Sequence, residues 1–137
     1  MTQPRYKYQR TPHLDFSPGF EPDDVFVDAT SELEGSEVIV SIKMDGECTT
    51  PYADGFLHAR SIDSKGHPSR NAVKAWWAAR HMYLPEGWRI CGENLYAKHS
   101  IHYQDLKSHF YGFSAWNDRN WCLSWDDTLV LFEALAV

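Results

Sequence analysis

Lys43 is followed two residues later by Asp45 and then by Gly46, in the run Ile42-Lys43-Met44-Asp45-Gly46-Glu47. A lysine amine held neutral against a ligand is a nucleophile for an electrophile such as a phosphorus centre, and a place at the end of an apolar strand limits its freedom. On an extended chain Asp45 points to the same side as Lys43, where its carboxylate can help hold a metal ion through water. Gly46 lacks a Cβ, so its backbone can approach a phosphate. Further on, Gly92 precedes a second carboxylate, Glu93. A glycine within a strand is costly unless some group comes close to it. Phe110 and Phe113 differ by an odd number of positions, so they face opposite sides of a strand. One can enter the core while the other meets a ligand.

Holding these groups requires a sheet and something to cover it. From Ser36 to Lys43 the β-branched pattern puts Val38, Val40 and Ile42 on one face, which predicts a half-buried strand. Glu47 to Tyr52 and Phe56 to Arg60 flank Asp54-Gly55, a dipeptide suited to a tight hairpin. Ser69 is placed to cap a helix from about Arg70 to Met82, with Val73, Trp76, Trp77 and Arg80 at helical spacing. Trp88 to Tyr96 and His109 to Trp116 read as strands, and Asn117-Asp118 as a turn. Trp121 to Ser124 reads as a short strand end. Ser124 with Asp127 opens a last helix lined by Leu129, Val130, Phe132, Leu135 and Ala136. The order strand, hairpin, helix, strands, helix indicates an α+β fold with a mostly antiparallel sheet flanked by helices.

Before that sheet, residues 1–35 are rich in Pro and acids, with seven Asp and Glu against three Lys and Arg. Proline at this density opposes helices and central strands, so this stretch is expected to be an extended lead-in that wraps the domain, with a short ordered piece around Asp24 to Thr30. The lead-in carries much of the net charge of -6. Between His58 and Arg119 nine Lys and Arg face five acids, which suits a phosphate-bearing ligand. With 137 residues, 43% hydrophobic and 23% charged, the chain is at most one domain and neither disordered nor fibrous. Cys48, Cys91 and Cys122 form no CxxC pair, so a reduced cytoplasm is the expected compartment and a disulfide scaffold is not. His99 and His102 with Cys91 are too loosely spaced for a zinc site. No apolar run is long enough for a membrane span.

Taken in order, the Lys43 run, His58-Ala59-Arg60-Ser61, Ile90-Cys91-Gly92-Glu93-Asn94 and Phe110-Tyr111-Gly112-Phe113-Ser114 resemble motifs I, Ia, III and IIIa of the covalent nucleotidyltransferases. That superfamily contains ATP-dependent ligases and messenger-RNA capping enzymes. The stretch Cys91-Gly92-Glu93-Asn94-Leu95-Tyr96-Ala97-Lys98-His99-Ser100-Ile101 looks like the bacterial and phage RNA ligases related to RNA ligase 2. The resemblance covers about residues 10 to 130 and implies an ATP-grasp-like ligase domain, with residues 36–137 as the N-terminal part of an adenylyltransferase.

The resemblance also implies roles. Lys43 would take AMP from ATP, and the AMP would pass to an RNA 5′-phosphate and be displaced by a 3′-hydroxyl in RNA repair. Ile42, Lys43, Asp45, Gly46, Arg60, Glu93 and Phe113 would bind the nucleotide, Arg60 at phosphate or ribose, Glu93 at ribose and Phe113 on adenine. Asp45 and Glu93 would hold Mg²⁺ or Mn²⁺ through water, and the partner would be RNA ends or a nicked duplex. Cys48 departs from the pattern, because other members carry Arg or Asn there. No Glu-Gly pair follows Glu93 and no Lys-x-Lys occurs, so motifs IV and V are missing. The expectation is an incomplete nucleotidyltransferase domain, weakly active or inactive, whose C-terminal remainder is a possible partner. Competing readings are a DNA ligase, a GTP-using capping enzyme, and a non-catalytic module that binds RNA ends or a partner.

Overall fold

The structure is a computed structural model that describes residues 2–137. Its contacts separate residues 9–42 from a larger unit made of residues 2–8 and 43–137.

In the smaller unit, β1 (His13–Leu14) pairs in parallel with β2 (Phe26–Val27). The short helix α1 (Ala29–Leu33) starts at Asp28, whose side chain accepts from the N–H groups of Thr30 and Ser31. This is the ordered piece expected near Asp24 to Thr30. The strand expected over Ser36–Lys43 is not formed. Its alternation favours an extended backbone, but a strand exists only as part of a ladder, and among the described residues none pairs with it. Val40 and Ile42 accordingly remain 90% and 85% exposed.

The larger unit contains β3 (Glu47–Pro51), β4 (Leu57–Ala59), α2 (Asn71–Ala78), β5 (Arg89–Asn94), β6 (Phe110–Trp116) and α3 (Trp125–Leu135). Its sheet runs β4-β3-β5-β6, and every pair is antiparallel. The hairpin β3–β4 closes as expected through Asp54-Gly55, where Gly55 adopts φ +85°. The helix expected from Arg70 to Met82 is shorter. It is flanked by 3₁₀ turns at Pro68–Arg70 and His81–Tyr83, and the first of these is capped by His67, not by Ser69. Just beyond its end the Arg80 guanidinium donates to the carbonyls of Trp76 and Leu135.

One sheet face is apolar and packs on α2 and α3. Leu57, Ile90, Phe110 and Ala115 from the sheet meet Val73 and Trp77 of α2 and Phe132 and Leu135 of α3. Each large side chain removed from water here contributes roughly 1.5–3 kcal/mol. Gly92 lies on this face, and a Cβ there would strike the Phe110 ring and come within 2.6 Å of Tyr111 O. The close approach inferred for this glycine is therefore made by the core. Ser124 caps α3 as expected, accepting from Asp127 N at 3.1 Å. Only Thr128, Phe132 and Leu135 of that helix are buried. Leu129 and Val130, expected on the inner face, are exposed because they lie round the helix from the stripe that starts at Thr128.

Candidate functional site

The second sheet face carries the candidate residues Glu93 and Phe113. Cys48 stands opposite Glu93 and Thr50 opposite His58, while Arg89, Cys91 and Glu93 alternate along β5 on the same side. Arg60 follows β4 directly and is exposed. Lys43 lies on exposed chain before β3, in place of the strand end expected for it.

Three hydrogen bonds fix the turn between Lys43 and β3. Gly46 N donates to Glu93 Oε1 at 3.1 Å, Asp45 N donates to the Tyr103 hydroxyl at 2.9 Å, and Ile101 N donates to Asp45 Oδ2 at 3.1 Å. A Cβ on Gly46 would collide with the Asn94 carbonyl and lie 2.6 Å from Leu95 Cδ2, so the glycine lets the turn press on β5. Burial pushes the Glu93 carboxyl up, against the Gly46 N–H and the charges of Lys43 and His99, which favour its ionised form. Asp45 and Gly46 are thus tied to Glu93 by the Gly46 N–H.

Other candidate nucleophiles on this face are quiet. Burial pushes the Cys48 thiol up to about 12, with Cys91 and Glu93 adding to the effect and Arg60 opposing it. The buried Cys91 thiol is raised for the same first reason. Neither is a thiolate near neutral pH. Burial lowers the pKa of His58, and both its nitrogens are engaged, Nδ1 donating to Ala59 O and Nε2 accepting from the Tyr52 hydroxyl at 2.9 Å. Because a carbonyl only accepts, the Nδ1–H tautomer follows.

Phe113 lies on this face at a bulge. Cys91 pairs with Ser114 and Gly92 with Gly112, so Phe113 is the extra residue, while Phe110 turns into the core. Phe110 and Phe113 thus lie on opposite sides of the sheet, as their spacing implied. Residues 3–8 lie across the same face. Arg5 stacks over Tyr52 and Phe56 and donates to Asp54 at 3.1 Å. Arg89 sits between the rings of Tyr6 and Trp116, with Nη1 buried and unpartnered. Tyr8 meets Phe113 edge to face at 5.2 Å.

The sheet thus gathers Lys43, Asp45, Gly46 and Glu93 at one corner, Arg60 beyond β4, and Phe113 on β6. Ile42 belongs to the smaller unit, where it is exposed. Tyr103 and Tyr8 were not anticipated. Tyr103 lies in a stretch with no periodicity, and Tyr8 in the Pro-rich lead-in, so neither sequence pattern pointed to them. Among the described residues no group of three or more His, Cys, Asp or Glu is gathered to hold a metal ion. None of the described helices is long and apolar enough to cross a membrane. A family model described as RNA ligase matches residues 36–137. No curated protein and no solved structure matches the chain.

Proposed function

The chain belongs to the RNA ligase family, and from that membership we propose that it is an ATP-dependent RNA ligase of the RNA ligase 2-like kind, with Lys43 as nucleophile. The Lys43 amine, after losing its proton to solvent, attacks the α-phosphorus of the substrate ATP; the bond to pyrophosphate breaks and AMP remains on the lysine as a phosphoramidate. An RNA 5′-phosphate oxygen then takes the AMP and frees the lysine, and an RNA 3′-hydroxyl displaces AMP as the new phosphodiester forms. Positioning and charge neutralisation supply most of the catalysis in such steps.

The observation that carries this reading is the hydrogen bond from Gly46 N to Glu93 Oε1, which ties the lysine turn to the strand bearing Glu93 across 47 residues of sequence. Glu93 is the acceptor for the ribose and Arg60 the donor to phosphate or ribose, a role suited to its fork of N–H groups. Phe113 offers its ring to adenine, and Ile42 flanks the nucleophile. Asp45 and Glu93 are hard oxygen donors, each with one oxygen held by a backbone N–H. Such a pair suits Mg²⁺, which keeps most of its waters and takes only one or two carboxylates beside substrate phosphates. Bound there, the ion would offset phosphate charge. The partner is an RNA end or nicked duplex.

Incubation with α-labelled ATP and Mg²⁺ tests the proposal. The label expected on the wild-type chain is weak, because motifs IV and V are missing; it should vanish in Lys43→Ala, and label that survives the substitution would overturn the proposal. Preference for GTP over ATP, or for nicked DNA over nicked RNA, would move the chain to the capping enzymes or the DNA ligases.

A further inference from the structure

The segment between β5 and β6 has no regular structure, yet it is closed at its neck by Leu95 N donating to His109 O at 2.8 Å and by Lys107 N donating to the Tyr111 hydroxyl at 3.2 Å. From its middle, two groups reach back more than fifty residues to one side chain and its amide. The Tyr103 hydroxyl accepts the Asp45 N–H at 2.9 Å, and Ile101 N donates to Asp45 Oδ2 at 3.1 Å. The next amide, Gly46 N, is held by Glu93.

These bonds bear on Lys43, which is exposed and flanked on its N-terminal side by exposed, unpaired chain. A side chain on such a run has no local reason to keep one direction. Holding the amide and carboxylate of Asp45, and the amide after it, fixes the Met44–Asp45 and Asp45–Gly46 peptides, so that the chain leaves Lys43 across a single unheld residue, Met44. We propose that Tyr103 is a positioning residue for Lys43, acting through the Asp45 amide, and that the 95–109 segment is the clamp that aims the nucleophile. This rests on the reading of Lys43 as the adenylylated residue. A tyrosine is suited to the task, because its hydroxyl accepts the amide proton while its ring, half-buried, fixes the oxygen in place.

The test compares Tyr103→Phe with Tyr111→Phe, which removes the hydroxyl at the neck of the same segment and leaves Asp45 held. In single-turnover labelling, Tyr103→Phe should lower the rate constant of Lys43 adenylylation by about 10- to 100-fold, the cost of a small misplacement of a reacting group. The ATP concentration for half-maximal rate should stay within about twofold, since the lost contact is not to nucleotide. The Asp45 amide should exchange its hydrogen about tenfold faster or more, a readout that needs no turnover. Tyr111→Phe should label at close to the wild-type rate. If Tyr103→Phe folds poorly, Ile101→Pro removes the other bond to Asp45 and should lower the same rate constant.

Equal losses in Tyr103→Phe and Tyr111→Phe would assign the effect to the integrity of the segment and overturn the proposal, as would an unchanged Asp45 exchange rate. Label lost in Lys43→Ala but retained in full by Tyr103→Phe would remove the positioning role and leave the function standing. A wild-type chain that takes no label on Lys43 would remove both.

Discussion

Replacing Gly46 with alanine adds a single methyl group at the tightest point of the lysine turn. Gly46 has no left-handed backbone, so alanine meets no conformational penalty and its effect is one of space. The new Cβ would overlap the Asn94 carbonyl and stand 2.6 Å from Leu95 Cδ2. Leu95 can rotate, but the carbonyl belongs to β5, where Asn94 is paired with both Glu47 and Phe110. The turn must therefore move away from β5 by about 1 Å to reach ordinary contact distance. From 3.1 Å, that shift takes Gly46 N out of hydrogen-bonding range of Glu93 Oε1. Overpacking of this kind costs about 1–3 kcal/mol. A lost hydrogen bond to a charged acceptor adds about 1.5–3 kcal/mol when fully buried, and less here because Glu93 is only half-buried. A total of about 2–4 kcal/mol lowers the melting temperature of a chain this size by roughly 8–15 °C. Thermal melts and urea titration give the stability, and labelling with ATP gives the function, which should fall below a tenth of wild type, about the effect of displacing a reacting group. A Gly46→Ala chain that melts within about 2 °C of wild type would refute the reasoning, since the predicted overlap must cost more than that.

Two titrations follow from burial on the same face. Glu93 has a raised pKa, so folding favours its protonated form; its contribution is full below the reference value of 4.5 and declines as pH rises through the higher folded value. Glu93→Gln keeps an acceptor for Gly46 N while removing the charge. It should flatten that part of the profile and be at least as stable as wild type at neutral pH, yet fail to label; urea midpoints across the pH range would contradict this if the variant were weaker at neutral pH. His58 behaves in the opposite sense. Its pKa is lowered, so stability is full above the reference value of 6.5 and declines as pH falls towards the lower folded value. His58→Asn should lose that acid-side decline, and an identical slope in both chains would show that another group titrates.

The sheet and its apolar face were legible because period-two alternation and aromatic content report burial directly. The strands ending at Asn94 and Trp116, the Asp54-Gly55 hairpin and the Ser124 cap all have local signals that no tertiary contact overrides. Ser36 to Lys43 shows the limit of that logic. Alternation of Val38, Val40 and Ile42 is a statement about which side chains share a side, and pairing also needs a neighbour's backbone, which the pattern does not contain. Gly92 shows a second limit, because a missing Cβ announces close approach without naming what approaches, and here it is the Phe110 ring.

The candidate site divides along the same line. Lys43, Asp45, Gly46, Glu93 and Phe113 could be singled out because each sits in a short run whose residue types have chemical meaning. The bonds that arrange them join Gly46 to Glu93 and Asp45 to Ile101 and Tyr103, across separations no local window spans. Tyr103 stands in a stretch of His, Lys, Ser and Asp where a tyrosine reads as one more surface aromatic. Its meaning is carried by the one backbone amide it accepts from. A site of this construction places its reactive groups in motifs and its aim in a loop, so substitutions in the loop should change rate before they change nucleotide binding. That ordering separates a clamp from a ligand contact.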